Sequence, residues 1–497
     1  MVHINHLILS AVLPVIAAQE TILGVYIFHR HGDRSTKSYP PTHLTDLGYA
    51  EVFQSGSFYR SRYVDSNASN PIFGISSDLV KGSQLSVQSP TDDVLQNSAS
   101  GFLQGLYPPV GATLGSETVA NGSTVQSPLG GYQLIPVSVL APTSAVSQPG
   151  DAVWLEGTTG CENAVISSNN YFLSQDFQNL TSKTASFYQS ILPVVNNTFT
   201  TATDIYKNAY ASKLLLRVLS LFNIRLTSIV WDLVQVSLIH NTTIQSSELL
   251  TPSNILQLQT LSDHHEFNLA YNASDPVRAI DGAVLAAQVV QALNATIAGK
   301  STPSINVQLG EYANFLAFFG LAQLPAASVN FTGINNFASS MVFELVTNST
   351  VNNTTYPSTD DISVRFLFAN GTAGQAPLNS YPLFGQSQIE LPWSNFVSEM
   401  DKFAIGSQDA WCSTCGAGST ACNTTTSATT GSSSSSPTAH SGGGISRAVD
   451  GVIGAMVTLA VILALVAALM LVGGFRLVRK GTGTANNGGV VGTTGKA

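Results

Sequence analysis

Charged residues are scarce in this sequence. They make up 10% of the 497 residues, whereas an ordinary globular protein has about 25%. The net charge is −9, and no run of lysine and arginine stands outside the extreme C-terminus, which argues against nucleic acid as a partner. Hydrophobic residues reach 44%, so the chain can bury a sizeable core. Its surface must be kept hydrated by something other than charge.

Asn-x-Ser/Thr tripeptides offer a source of that hydration, because they accept N-linked sugar in secreted proteins. One such tripeptide carries little information, but many of them along one region indicate a secretory route. Their asparagines are Asn67, Asn121, Asn179, Asn196, Asn241, Asn272, Asn294, Asn330, Asn348, Asn352, Asn353, Asn370 and Asn423. We therefore predict a glycoprotein.

Both ends of the chain carry apolar segments. The short run Leu7–Ala18 ends in small residues, which predicts a signal peptide over residues 1–18. Gly451–Phe475 contains no charged residue, and as a helix it would be about 37 Å long, enough to cross a hydrocarbon core of about 30 Å. A buried core helix is the alternative. Basic residues open the following tail, 476–497, so the positive-inside rule predicts a type I single-pass protein of the cell membrane with an extracellular N-terminal domain and a cytosolic C-terminus.

Cysteine is rare as well, with four residues in all: Cys161, Cys412, Cys415 and Cys422. In a secreted chain an even number predicts two disulfides, here with three possible connectivities. The Cys-x-x-Cys spacing at 412–415 lacks the βαβ setting of redox proteins and adjoins a Ser/Thr/Gly-rich segment, so we favour structural bridges. Residues 413–450 are interpreted as an O-glycosylated stalk. Nothing indicates a metal site or an organic cofactor.

Hydrophobic periodicity predicts an α/β fold for the ectodomain, residues 19–412. The apolar run Gly24–Phe28 indicates a buried strand, and Thr45 stands where a helix N-cap is expected. Pro276 opens a helix with apolar residues every four positions, and the alternating segment Ile305–Leu309 is a strand that leads into the apolar helix Tyr312–Leu321. This order predicts a mixed central sheet flanked by helices, with the site at strand ends.

The middle of the ectodomain, at about residues 120–265, has a less regular and more helical pattern. We predict that it forms a helical cap domain inserted into the sheet domain.

The pentapeptide Arg30-His31-Gly32-Asp33-Arg34 follows the first predicted strand directly. Two guanidiniums can grip a phosphoryl dianion through bidentate bonds, and an imidazole between them is a nucleophile that works near and below neutral pH. Gly32 leaves room for a phosphate to approach the backbone. The alternative is a basic turn at a strand end.

These residues and several later segments resemble the signature of the histidine acid phosphatases, which belong to the histidine phosphatase superfamily with its phosphoglycerate mutase-like fold. The resemblance is strong in the first forty residues after Gln19 and weaker towards Leu345. It implies a mixed-sheet domain with a helical cap that hydrolyses phosphomonoesters through a phosphohistidine at His31, with Arg30 and Arg34 as phosphate ligands. The segments that carry it are Phe28–Arg34, Leu44–Gly48, Tyr59–Tyr63, Asp92–Ala99, Gly105-Leu106 and Ala279–Val290.

The chain departs from the family pattern at three places. Thr36 replaces a proline, which is minor. Val94 stands where the family has a third phosphate-binding arginine, and Gly310-Glu311 stands where it has His-Asp. Glu311 keeps an acid that can protonate the leaving group, whereas Gly310 has no side chain for an oxyanion. Loss of one such donor costs about 10²–10³ in rate.

Other histidines were considered as replacements. Asp263-His264-His265-Glu266 is interpreted as a polar linker, because it precedes the helix at Pro276 instead of ending a strand. His240 is expected to be a structural histidine, and His29 to point away from Arg30 by strand alternation.

Two functions therefore stay open. The first is an acid phosphatase of reduced or specialised activity, with His31 and Glu311 as catalytic residues and a phosphorylated small molecule or phosphate held by Arg30 and Arg34. The second is a catalytically degenerate pseudophosphatase that serves as a ligand-binding or structural surface glycoprotein.

Overall fold

The computed structural model describes residues 20–140, 160–195, 230–240, 246–416 and 422. The predicted signal peptide, the transmembrane helix, the cytosolic tail and most of the stalk lie outside these residues. Within them, one helical stretch, Pro276–Ala298, is long and apolar enough to cross a membrane by length and composition. Its side chains Leu285, Val289 and Leu293 are buried in the core of the sheet domain.

A mixed sheet forms the centre of the molecule, as the sequence predicts. The strands in the described part of the chain are β1 (Thr21–Arg30), β2 (Leu85–Pro90), β3 (Ser116–Thr118), β4 (Thr124–Gln126), β5 (Ser138–Leu140), β6 (Ile305–Gly310), β7 (Ser340–Thr347), β8 (Ile362–Ala369), β9 (Asn379–Ser380) and β10 (Glu390–Pro392). Eight of them form the central sheet in the order β10-β8-β7-β1-β6-β2-β5, with β9 beside β8, and β3 pairs with β4 in a separate hairpin.

Ten helices of eight or more residues occur in the described part of the chain. They are α1 (Asp46–Tyr59), α2 (Asp93–Leu106), α3 (Glu162–Asn170), α4 (Gln175–Val195), α5 (Val230–His240), α6 (Pro252–Ala270), α7 (Ile280–Ala298), α8 (Tyr312–Leu321), α9 (Trp393–Met400) and α10 (Gln408–Cys415). Thr45 caps α1 by accepting a hydrogen bond from the Gly48 N–H, and α8 has the predicted bounds.

Strand β1 is buried on both faces, which explains its nearly continuous apolar sequence. Val25 and Ile27 face one core cluster with side chains of α1 and α2, whereas Tyr26 and Phe28 face the other with side chains of α7 and α8. Because β1, β6 and β2 are parallel neighbours, their carboxyl ends meet at one edge of the sheet. The motif begins at that edge, where Arg30 is paired with Gly310.

The predicted cap range contains both sheet and helix. Strand β5 pairs with β2 in the central sheet, and α3, which begins at Glu162, is the first helix of eight or more residues among the described residues of this range. Helices α4, α5 and α6 share an apolar cluster of their own, with Tyr188, Trp231 and Leu258 among its members. The outer limits of the cap stay a prediction.

The four cysteines form two disulfides, one of the three connectivities that the sequence allows. Cys161 pairs with Cys415, and Cys412 pairs with Cys422. The first bridge lies in an apolar cluster with Trp411, Ile280 and Val284. It ties α10 to the start of α3, which supports a structural role.

Candidate active site

His31 presents one ring nitrogen to the site. Its Nδ1 lies 2.7 Å from the main-chain oxygen of Gly32, and since a carbonyl oxygen only accepts, Nδ1 must carry the hydrogen. The neutral ring then has its lone pair on Nε2. This buried Nε2 has no hydrogen-bond partner among the residues that the structure describes. Burial also lowers the pKa of His31, which favours the neutral, nucleophilic form of the ring.

Arg30 is held between aromatic rings and a loop. Its Cζ lies 4.6 Å from the ring centroid of Phe337 and 5.3 Å from that of Tyr312, within the range of cation–π attraction. Its Nη1 donates to the main-chain oxygen of Asn335. Burial and the neighbouring Arg34 lower the pKa of Arg30 to about 10, so the guanidinium stays charged at neutral pH.

Arg34 is already paired with a carboxylate. Its Nη2 lies 2.8 Å from Oδ1 of Asp232 on helix α5. The other oxygen of Asp232 accepts from the Thr36 hydroxyl at 2.7 Å and from the Lys37 N–H at 2.9 Å. Burial opposes ionisation of Asp232, but the charge of Arg34 outweighs it and holds the pKa of the carboxyl below its ordinary value. The Asp232 carboxylate therefore already binds Nη2 of Arg34, the residue that was predicted to bind phosphate.

Helix α5 makes a second contact with the motif through His240. The Nε2 of His240 lies 2.6 Å from Oδ2 of Asp33, and the same carboxylate accepts from the Thr45 hydroxyl at 2.5 Å. His240 was expected to be a structural histidine, but sequence reasoning gave no signal for its contact with Asp33. Asp232 was missed altogether, because nothing in its local sequence marks it as a partner of Arg34.

The packing around Gly32 also requires a glycine. A Cβ at this position would overlap the main-chain carbonyl of Gly48 near the start of α1. The Gly32 N–H points to the Ser98 hydroxyl on α2 at 3.3 Å. The glycine thus allows the motif to pack closely against two helices.

Glu311 lies beside the nucleophile. Its Oε2 is 3.6 Å from Nε2 of His31 and 3.4 Å from Nζ of Lys37. Burial would raise the pKa of Glu311, but the positive charges of Lys37 and Arg34 hold it well below its ordinary value. Glu311 is therefore a carboxylate in the ligand-free protein. Lys37 was missed by sequence reasoning, although it stands only three residues after Arg34.

The two departures that remove a phosphate ligand, Val94 and Gly310, both lie in packed surroundings. Val94 is buried near the start of α2, one turn before Ser98, so an apolar side chain lies on the helix face that contacts the motif. At Gly310 a Cβ would overlap the ring of Phe28. Neither position offers a side-chain donor for phosphate.

The polar linker predicted at Asp263–Glu266 is wrong, because these residues lie within helix α6. His265 is buried against the aromatic rings of Tyr171, Phe172 and Phe177, and burial lowers its pKa to about 3. Glu266 accepts a hydrogen bond from the hydroxyl of Tyr312 at 2.9 Å. The four residues look like a linker in sequence because they are polar, but each of them contacts another element, Asp263 through the Ile334 N–H and His264 through Asp176.

His29 faces away from the site, as the alternation along β1 predicts. Its ring packs 5.1 Å from that of Phe102 on α2, and burial lowers its pKa to about 4. Among the described residues, no group of three or more His, Cys, Asp or Glu side chains could hold a metal ion.

Sequence comparison relates this chain to a known protein family. The family model of the histidine phosphatase superfamily (branch 2) matches residues 37–369, a range that begins just after the motif. No curated protein sequence matches the chain.

Several solved structures are similar in fold. The Hafnia alvei phytase bound to tartrate is 14% identical, with a TM-score of 0.45 over 78% of this chain and 98% of its own. The Klebsiella phytase is 12% identical, with a TM-score of 0.48 over 78% and 97% of the two chains. The Bifidobacterium longum multiple inositol polyphosphate phosphatase bound to inositol hexasulfate is 12% identical, with a TM-score of 0.42 over 81% and 96%.

The matched range covers more than half of the 497 residues. It contains helices α1 and α2 and strands β6 to β8, which surround the motif at the carboxyl end of β1. The chain therefore belongs to the histidine phosphatase superfamily (branch 2).

Proposed function

We propose that this protein hydrolyses phosphomonoesters through a phosphohistidine at His31. The observation that carries the proposal is a set of three buried nitrogens without hydrogen-bond partners in the described part of the chain: Nε2 of His31, Nε of Arg30 and Nε of Arg34. Buried polar atoms are normally satisfied, and an unsatisfied one costs about 1–3 kcal/mol. Two guanidinium cations and a neutral imidazole, each with a nitrogen that has no hydrogen-bond partner among the described residues, lie close together in one motif. This arrangement suits a phosphoryl dianion.

The reaction would proceed in two displacements. In the first, the Nε2 lone pair of His31 forms a bond to phosphorus while the bond from phosphorus to the ester oxygen breaks, and Glu311 gives its proton to the leaving alcohol. In the second, Glu311 takes a proton from water, whose oxygen attacks the phosphohistidine and releases inorganic phosphate. Arg30 and Arg34 stabilise the charge on the phosphoryl oxygens in both steps.

The first step needs a protonated Glu311. Its pKa is held low in the ligand-free protein, but a phosphate dianion would neutralise the cations that hold it there and raise the pKa. We therefore expect catalysis on the acid side of neutrality, where His31 is still neutral because burial lowers its own pKa.

The activity is expected to be modest. Val94 and Gly310 remove two donors, and each such loss costs about 10²–10³ in rate. The pairing of Arg34 with Asp232 at 2.8 Å favours a second candidate, a pseudophosphatase that binds a phosphorylated ligand without turnover. The two candidates differ in whether phosphate release depends on His31.

An assay of the full-length chain separates them. We expect the wild-type protein to release phosphate from an aryl phosphomonoester between pH 3 and 7, with the acid limb of kcat/KM below 6.5, the ordinary pKa of histidine. His31→Ala should abolish turnover, because it removes the nitrogen that would form the covalent intermediate. Phosphate release that survives this substitution contradicts the phosphohistidine route, and phosphate binding without release supports the second candidate.

Glu311→Gln serves as the internal control for the proton donor. It should slow alkyl phosphomonoesters more than nitrophenyl phosphate, because nitrophenolate leaves without a proton. Glu311 is also the N-cap residue of α8, and an equal loss on both substrates would assign it a structural role there.

A further inference from the structure

Asn335 is a buried amide without hydrogen-bond partners. The residue is 2% exposed, and neither Nδ2 nor Oδ1 of its side chain has a partner among the described residues. A buried amide that is left unpaired is costly, and a folded protein rarely keeps one without a role. Sequence reasoning gave no signal for it, because Asn335-Asn336 looks like part of an ordinary loop.

The loop that holds Asn335 is joined to the motif at several points. The main-chain oxygen of Asn335 accepts from Nη1 of Arg30. The ring of Phe337 lies 5.6 Å from that of His31, and the Ala338 N–H donates to the main-chain oxygen of His31 at 2.9 Å. Asn335 therefore belongs to the wall of the site, next to the guanidinium and the nucleophile.

The same loop is fixed from outside. The Ile334 N–H donates to Oδ1 of Asp263 on α6 at 2.8 Å, and the Asn336 N–H donates to Oδ1 of Asn370 at 2.8 Å. Residues on both sides of Asn335 are thus held by the scaffold. An amide in such a position is preorganised, and a ligand does not have to order it.

We propose that the side-chain amide of Asn335 binds a phosphoryl oxygen, with Nδ2 as the donor. It would supply a hydrogen bond at a site where Val94 and Gly310 offer none. A neutral amide restores a donor but not a charge, which fits a site that relies on Arg30 and Arg34 for its positive charge. The inference rests on the proposed function in one respect only, namely that a phosphoryl group binds at the motif.

The test uses inorganic phosphate as the probe and the full-length chain purified in detergent. Asn335→Leu removes both polar atoms at nearly constant volume. We expect its affinity for phosphate in calorimetric titration to fall about tenfold or more, since hydrogen bonds to charged groups are the strong ones. The melting temperature of the ligand-free variant should rise or stay constant, because an unpaired buried amide has been removed. A purely structural asparagine would not give this combination.

Two further variants make the result decisive. Asn335→Asp keeps the shape but replaces the donor with an anion, so it should also weaken phosphate binding, and it serves if the leucine variant does not fold. Asn336→Ser alters the exposed neighbour and should leave affinity within twofold of wild type. If both Asn335 variants bind phosphate as tightly as wild type, the inference is wrong.

The outcomes separate this inference from the proposed function. Phosphate binding that depends on Asn335, without any hydrolysis that depends on His31, supports the inference and contradicts the catalytic proposal. Hydrolysis through His31 with unchanged phosphate affinity in both Asn335 variants does the reverse. Failure of the wild-type chain to bind phosphate at all contradicts both.

Discussion

The ion pair between Arg34 and Asp232 affects how tightly the site can bind an anion. Arg34 is 3% exposed and its Nη2 is 2.8 Å from the carboxylate. Breaking such a buried pair by removing one partner typically costs about 3–5 kcal/mol, because a charge is left without compensation. A phosphate dianion can take over that compensation. Asp232 and phosphate are therefore expected to compete for Arg34.

Asp232→Asn tests this competition at a single residue. The amide keeps the shape but removes the negative charge, so we expect inorganic phosphate to bind several-fold to tenfold more tightly, where tenfold corresponds to about 1.4 kcal/mol. The ligand-free variant should melt at a lower temperature, and added phosphate should restore more of the loss than in wild type. Calorimetric titration and thermal melting measure both effects.

Asp176→Asn is a suitable control for that experiment. Its carboxylate is 59% exposed on α4 and pairs with His264 at 3.4 Å, so the substitution makes the same change of charge outside the motif. Phosphate affinity should not change. Weaker phosphate binding in Asp232→Asn would instead show that Asp232 orients Arg34 for the ligand.

The sequence predicts functional residues only where they are close together along the chain. The residues of the motif are adjacent in sequence, so their types and order were enough to predict a phosphate-binding nucleophile. Asp232 and His240 reach the motif from about 200 residues away, and that contact is created by folding. No property of either residue alone predicts it.

At the scale of elements, strands β1 and β6 explain why Gly310 is a glycine. The two strands are parallel neighbours with Phe28 opposite Gln308 and Arg30 opposite Gly310. Phe28 packs its ring against that of Phe315 on α8 at 5.0 Å, and this places the ring where a Cβ of residue 310 would be. The missing histidine of the family pattern is therefore coupled to a large aromatic residue on the neighbouring strand.

This coupling predicts the result of a simple substitution. Gly310→Ala should lower the free energy of unfolding by about 1–3 kcal/mol, the usual cost of overpacking a core. Phe28→Leu, combined with it, should recover part of the loss because the smaller side chain frees the space. Urea denaturation of the two single variants and the double variant gives the coupling energy.

Additive losses in that double-mutant cycle would show that the two positions do not share space. We expect a favourable coupling energy instead, so that the double variant is more stable than the sum of the two single losses predicts.

Elements with a strong hydrophobic period were predictable, and elements with a weak one were not. Helix α8 is apolar except for Asn314, and its bounds agree with the prediction. Helix α6 presents Asp263, His265 and Glu266 to partners on other elements, so its contact face contains polar residues. A periodicity that counts only apolar side chains misses such a face.

For the whole molecule we propose the membrane arrangement that the sequence predicts. The described residues form a sheet domain and a helical cluster, and many Asn-x-Ser/Thr tripeptides lie on them. An extracellular, sugar-coated domain accounts for a surface with so few charges. The apolar segment 451–475 would then anchor the chain, with residues 476–497 in the cytosol.

Protease protection tests this arrangement. Protease added outside intact cells should remove the N-terminal domain and leave an epitope placed at the C-terminus protected. Detergent treatment, as the control, should expose that epitope. A C-terminal epitope that is digested on intact cells contradicts the proposed topology.

The proposed reaction passes through a covalent phosphohistidine at His31, and this intermediate can be trapped. The full-length chain is mixed with a phosphomonoester labelled at phosphorus, at mildly acidic pH, and denatured at alkaline pH before electrophoresis. We predict label that is stable to alkali, is lost in acid as expected for a phosphorylated imidazole, and is absent from His31→Ala. Turnover without any trapped label, or label that persists in His31→Ala, would contradict the claim.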